Sequence, residues 1–220
     1  MIAPGQVAER LAQIRSRIVE AGGTDVTVLA VTKGFGADAV AAARSAGLED
    51  LGENYAQELA AKAETAAPPP PRWHAIGRLQ RNKVRQLAPH VWCWQSVDRP
   101  ELAGEIARRA PGARVMVQVA AWDEAQKGGA LPDEVPALVE MCRTAGLDVG
   151  GLMAIAPFGG GAVAARGFAA VRALADRLEL GACSMGMSDD LVEAVSEGST
   201  MVRVGRGLFG PRSSGPTVGN

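Results

Sequence analysis

The chain has 220 residues, with 23 basic and 24 acidic side chains and a net charge of −1, so it can bury one sizeable core and lacks the basic bias of a nucleic-acid binder. Its three cysteines, Cys93, Cys142 and Cys183, are far apart and odd in number; they fit neither a disulfide framework nor a zinc site and point to a reducing cytoplasm. Two histidines argue against a histidine metal site, and no apolar run approaches the ~18 residues of a membrane span, which predicts a soluble protein.

The first segment, MIAPGQVAERLAQIRSRIVEAGG, interrupts its apolar residues with Glu9, Arg10, Arg15 and Arg17. It is therefore read as an amphipathic helix rather than a signal peptide. From Val26 onward strand and helix patterns alternate. VTVLAVT is followed by ADAVAAARSAG, LEDLGEN by YAQELAAKAETA, and RWHAIG by NKVRQLAPH. VWCWQSVD precedes PELAGEIARRA, and ARVMVQVA precedes PDEVPALVEMCRTAG. LDVGGLMAI pairs with AARGFAAVRALADRL, LGACSMGMS with DDLVEAVSEG, and TMVRVG closes the series. Alternation of this kind predicts a parallel sheet covered by helices. Eight units predict an α/β fold of one domain over residues 1–220, a (β/α)8 TIM-type barrel with an extra N-terminal helix; a doubly wound open sheet is the runner-up. The final PRSSGPTVGN, residues 211–220, reads as a disordered tail.

Barrel enzymes and binders place their working residues at the C-terminal ends of the strands, with anions often held after strands seven and eight. That rule selects Lys33 after strand one, Asn54 after strand two and His74 at the end of strand three. After strand seven, Ser184, Gly186 and Ser188 precede a helix expected from about Asp189, where exposed N–H groups attract an anion. Ser188 also reads as a plain N-cap. After strand eight, Gly205-Arg206-Gly207 supplies a second glycine turn beside the first. GRGLFG matches a dinucleotide pattern, but Pro211 arrives where a helix is required. FGGGA, residues 158–162, lacks the Lys-Ser/Thr of a P-loop and reads as a loop. Met153, Met185 and Met187 read as packing, the basic run Arg78, Arg81, Lys83 and Arg85 as a solvated helix face, and His74 by default as a hydrogen-bonded structural histidine. A lysine amine beside a phosphate site suits a Schiff base, either with a sugar-phosphate aldehyde or with pyridoxal 5′-phosphate (PLP).

The segments AVTKGF, GENYAQE, WHAIGRLQRNK, GLMAI, SMGMSDDLVEAVSEGSTMVRVG and LFG occur in the order of the PLP homeostasis protein family, which the chain resembles over residues 27–210. The resemblance implies the alanine racemase N-terminal barrel standing alone. It also implies an internal aldimine on Lys33, Asn54 beside the cofactor, and Arg203 at the pyridine nitrogen. Ser188, Gly205 and Arg206 would hold the phosphate, and His74 joins the cofactor-binding set. Two positions depart from the family pattern: Arg206 replaces a small hydroxyl residue and Ala154 a threonine. The function so implied is a non-catalytic cytoplasmic PLP-binding protein, a monomer that buffers the cofactor or delivers it to PLP-dependent apoenzymes, with effects on amino-acid and vitamin B6 balance and with neither nucleic acid nor membrane as partner. A weak amino-acid racemase and a Schiff-base aldolase are the alternatives. Against the racemase, a cation at the pyridine nitrogen weakens the electron sink, and the single tyrosine, Tyr55, is expected in a core or surface role.

Overall fold

The structure, a computed structural model, describes residues 2–122, 128–157 and 159–211. Eight strands run β1 (Thr27–Val31), β2 (Asp50–Glu53), β3 (Arg72–Ala75), β4 (Val91–Val97), β5 (Arg114–Val119), β6 (Asp148–Ala154), β7 (Ala182–Ser184) and β8 (Met201–Val204). Helix α1 (Pro4–Glu20) precedes them. Between and after them lie α2 (Ala37–Ser45), α3 (Ala56–Thr65), α4 (Arg81–Leu87), α5 (Pro100–Arg109), α6 (Val135–Thr144), α7 (Gly161–Arg177), α8 (Leu191–Ser196) and α9 (Arg206–Phe209). Every strand pairs in parallel with its sequence neighbours, and β1 also pairs with β8, placing Leu29 opposite Arg203 and Ala30 opposite both Val204 and Leu51. That last pairing closes the barrel and excludes the open sheet.

The strands read as near-continuous apolar runs because both their faces are covered. Alternate residues divide between two compartments. Val28, Ala30, Trp73, Ala75, Trp94, Val202 and Val204 face the outer core under the helices. Inside, Leu29, Val31 and Ile76 pack together near β1, and Cys93, Met116 and Met153 pack together across the barrel. The remaining interior is polar, with Asp50, His74, Gln95, Ser184 and Arg203 all buried.

Helix α1 starts at Pro4, whose fixed φ suits the first helical turn. It buries Val7, Leu11, Ile14 and Ile18, one stripe at helical spacing, each side chain contributing about 1.5–3 kcal/mol on burial. It packs on α2, α8 and α9 over the β8–β1 seam, and Arg10 Nη1 donates to the Leu208 carbonyl at 3.3 Å. Three boundaries differ from the sequence expectation. Helix α8 starts at Leu191, two residues late; α7 starts at Gly161, inside the glycine run read as a loop; and the short α9 after β8 was not anticipated. Phe158 and residues 212–220, most of the expected tail, lie outside the described residues. No helix among the described residues is long and apolar enough to cross a membrane.

Candidate functional site

At the C-terminal ends of the strands a cleft of about 370 Å³ opens between the turns that follow β1, β2, β7 and β8. Lys33, Asn54, Ser188, Arg203, Gly205 and Arg206 all line it, together with Val31, Ile76, Ile155, Met187 and Asp189. The sequence expectation thus converges on one place, with His74 the exception: it is buried one residue before the end of β3 and is not among the lining residues. Tyr55, the residue before α3, is half exposed and does not line the cleft either.

The two glycine turns meet. A Cβ on Gly207 would lie 2.8 Å from Ser188 Oγ and 3.1 Å from Val204, so only glycine lets the turn after β8 approach the turn after β7 this closely. Gly186 takes φ 88°, a conformation that favours glycine, and its carbonyl accepts the Arg203 N–H at 2.9 Å. Ser188 does not cap α8. The residue before that helix is Asp190, whose carboxylate reaches back to accept the Met187 N–H and so holds the Met187–Ser188 turn from inside. The reason is tertiary packing: helix α8 starts at Leu191 and buries Leu191, Ala194 and Val195, which leaves Ser188 outside it. Arg206 is exposed and lies 3.9 Å from the exposed Asp189 carboxylate, a pairing that water screens.

Arg203 is buried on β8, with its neighbours Val202 and Val204 on the outer face. Its Nη1 donates to the Ser184 carbonyl at 2.5 Å and to Ser184 Oγ at 2.8 Å, and Nη2 donates to the Ala154 carbonyl at 2.6 Å. Ala154 therefore acts here through its backbone. Burial pushes the Arg203 guanidinium down to about 10 and the Asp190 charge acts the other way, so it remains a cation at neutral pH.

Behind Arg203 a chain of hydrogen bonds crosses the barrel. Arginine only donates, so Ser184 Oγ accepts from it and sends its own hydrogen to Gln95 Oε1 at 2.7 Å. That leaves Gln95 Nε2 against His74 Nδ1 at 2.7 Å, while His74 Nε2 lies 3.0 Å from Asp50 Oδ1. Asp50 also takes a bidentate pair from Arg72, at 2.8 and 2.7 Å. Burial raises the Asp50 carboxyl, but the His74 and Arg72 hydrogen bonds outweigh it and hold the group well below its ordinary range. An ionised Asp50 only accepts, so both ends of the chain demand the same direction and His74 carries its hydrogen on Nε2. His74 is thus the hydrogen-bonded structural histidine of the default reading.

Sequence reasoning missed Asp50 and Gln95, and it named Ser184 only as part of the turn before α8 and not for its inward hydrogen bonds. Each sits at an inward position of its strand, and a polar residue at an inward position of an otherwise apolar strand was the available signal. It also missed a buried ion pair under the Lys33 turn, in which Lys62 Nζ lies 2.5 Å from Glu53 Oε1. The cysteines are all buried thiols. Burial pushes Cys93 up to about 12 and Cys142 and Cys183 to about 11, so none is a nucleophile at neutral pH.

The family model of the alanine racemase N-terminal domain matches residues 2–213. A pyridoxal phosphate homeostasis protein of Pseudomonas aeruginosa is 42% identical, over 95% of this chain and 97% of its own length. One from Deinococcus radiodurans is 43% identical, over 90% and 97%. Among solved structures, PipY of Synechococcus elongatus with PLP bound superimposes with a TM-score of 0.82 at 36% identity, over 93% of this chain and 100% of that one.

Proposed function

The chain belongs to the pyridoxal phosphate homeostasis family, built on the alanine racemase N-terminal barrel, and on that premise we propose that its cleft holds PLP without turning over a substrate. The observation that carries this reading is the meeting, in one cleft, of Lys33, the Ser188 and Gly205–Gly207 turns, and a buried arginine between them. The residues fit the group. About 370 Å³ lies at the lower end of the ~300–1,000 Å³ usual for small-molecule sites, and the close packing of Gly207 on Ser188 brings the turns after β7 and β8 to one wall of the cleft, where Ser188, Gly205 and Arg206 can meet an anion.

PLP supplies an aldehyde that condenses with an amine, a phosphate dianion, and a pyridine ring able to draw electrons. Lys33, at the mouth of the cleft, would be the covalent partner, offering its amine to that aldehyde. The Ser188 hydroxyl and the N–H groups of the Gly205–Gly207 turn bind the phosphate, with Arg206 at the rim. Asn54 would flank the ring, and Arg203, held by β6 and β7, would present its cation to the pyridine nitrogen and disfavour a proton there. A ring without that proton is a weak electron sink, and Tyr55, outside the cleft, is not placed to protonate from the face opposite Lys33. Capture and release therefore outpace chemistry at a bound amino acid. That suits a cytoplasmic buffer or donor of PLP to apoenzymes, acting as a monomer because one chain supplies every group named.

The test is an absorbance titration of the purified protein with PLP. A visible band that saturates at one equivalent is expected, and borohydride should fix it to a peptide containing Lys33. A colourless protein that traps a sugar-phosphate aldehyde instead would refute the reading.

A further inference from the structure

Lys33 is the second residue of a tight turn. The Phe35 N–H donates to the Thr32 carbonyl at 3.0 Å, and the third residue, Gly34, takes φ 70°, a value glycine adopts without strain. Helix α3 grips this turn on both sides of the lysine. Lys62 Nζ donates to the Thr32 carbonyl at 2.8 Å, in the peptide before Lys33, and Glu58 Oε2 accepts the Gly34 N–H at 2.9 Å, in the peptide after it. The two gripping residues pair with each other at 3.2 Å, one helical turn apart.

The grip is anchored in the core. Glu53, at the end of β2, is fully buried, and its Oε1 accepts from Lys62 Nζ and, at 2.6 Å, from Thr32 Oγ1. Its Oε2 has no hydrogen-bond partner among the described residues, and burial raises the carboxyl's pKa. A buried ion pair with an unsatisfied oxygen is weak ground for stability, because desolvation offsets much of the Coulomb gain. It is strong ground for fixing a direction, since Lys62 cannot leave without stranding the Glu53 charge. The turn also touches the element that follows the neighbouring strand β8: the Phe35 ring packs on Phe209 of α9 with centroids 5.2 Å apart.

We propose that Glu58 and Lys62 are positioning residues for Lys33, a clamp that holds both its peptide groups so that its amine meets the aldehyde of a ligand already seated by the phosphate turns. The inference rests on the PLP reading above. It separates two parts of binding, since the clamp serves covalent capture while the glycine turns serve the phosphate. Orientation of this kind acts on the condensation alone, in which the Lys33 amine loses two hydrogens, the aldehyde loses its oxygen, and one water departs.

The experiment compares PLP with pyridoxine 5′-phosphate, which carries the same ring and phosphate but an alcohol in place of the aldehyde. Glu58→Ala should weaken PLP binding tenfold or more, shrink the borohydride-trapped fraction, and leave pyridoxine 5′-phosphate within twofold of wild type. Glu58→Gln keeps an oxygen for the Gly34 N–H and should restore PLP binding to within threefold. Hydrogen exchange on the ligand-free protein gives a second readout, in which the Gly34 amide exchanges faster in Glu58→Ala than in Glu58→Gln. Lys62→Met is the poorer probe because it strands Glu53, so the Glu58 pair decides. Equal loss of both ligands in Glu58→Ala, no loss of either, or no rescue by glutamine would overturn the clamp. Wild-type protein that binds neither compound would instead overturn the PLP reading, and the clamp with it.

Discussion

Ser184→Ala removes one oxygen from the middle of the chain that runs from Arg203 to Asp50, and its cost can be worked from the contacts. Ser184 Oγ accepts from Arg203 at 2.8 Å and donates to Gln95 at 2.7 Å. The first is a hydrogen bond to a charged group, worth about 1.5–3 kcal/mol, though the Ser184 carbonyl keeps part of it because the same Nη1 already donates there. The second leaves Gln95 Oε1 buried without a donor, a penalty of about 1–3 kcal/mol. Alanine is nearly the size of serine, so no cavity term follows. The sum is roughly 2–4 kcal/mol against a typical total of about 5–15 kcal/mol, which leaves the protein folded. Urea unfolding should show a lower midpoint with an unchanged slope. Gln95→Met, made alone and together with Ser184→Ala, should be non-additive by at least ~1 kcal/mol, because the two residues share one bond. A loss below ~0.5 kcal/mol for Ser184→Ala, or full additivity, would refute the connected chain.

Lys33→Ala should abolish the visible band with PLP and leave the circular dichroism spectrum unchanged; pyridoxyl labelling at Lys83 or Lys127 in the wild type would count against Lys33. Gly207→Ala pushes a methyl to 2.8 Å from Ser188 Oγ, so the preference for PLP over pyridoxal should fall tenfold or more, as competition titrations would reveal. Asp50→Asn tests linkage: the Asp50 pKa is lowered in the fold, so its stabilisation is complete above the ordinary value of 3.8 and is lost as pH falls below it. The gap between wild type and Asp50→Asn, measured by urea midpoints, should therefore be widest near pH 6 and shrink by on the order of 1–2 kcal/mol by pH 3; a constant gap would contradict the assignment. Finally, the PLP-loaded protein should exchange the α-proton of added alanine with deuterium only slowly and invert it more slowly still; efficient racemisation that Lys33→Ala abolishes would make it an enzyme.

The barrel was legible because its strands are short, apolar and evenly spaced, and because helical patterns separate all eight. Arg203 was legible too, since Val202 and Val204 must take the opposite face of β8. The alternative reading of Ser188 as a plain N-cap failed for a physical reason. Serine before two aspartates is a good N-cap on local grounds, but tertiary burial of Leu191 moved the helix start and gave the capping place to Asp190. The internal chain could not be read because its members come from β2, β3, β4, β7 and β8. Their contact depends on barrel register, which no local pattern encodes. The Lys33 clamp lay nearer to view: Glu58 and Lys62 are spaced as a helical ion pair, yet such pairs are common on solvated faces, and nothing in the sequence says that this one turns inward.

On the PLP reading proposed above, these contacts account for a charged arginine standing where an acidic partner would make a better catalyst. Three hydrogen bonds to β6 and β7 fix the guanidinium, and the Ser184–Gln95–His74 chain carries that constraint to Asp50 and Arg72 on the opposite side of the barrel. Moving Arg203 would disturb all of them. Exchanging it for a shorter acid would leave the Ser184 and Ala154 carbonyls without their donors in a buried site. The barrel interior is thus organised around keeping this cation in place, while the Glu58–Lys62 grip organises the other side around Lys33. Both devices fix groups that line the cleft. Neither supplies a second proton donor across the ring, which is the part a racemase needs and a carrier does not.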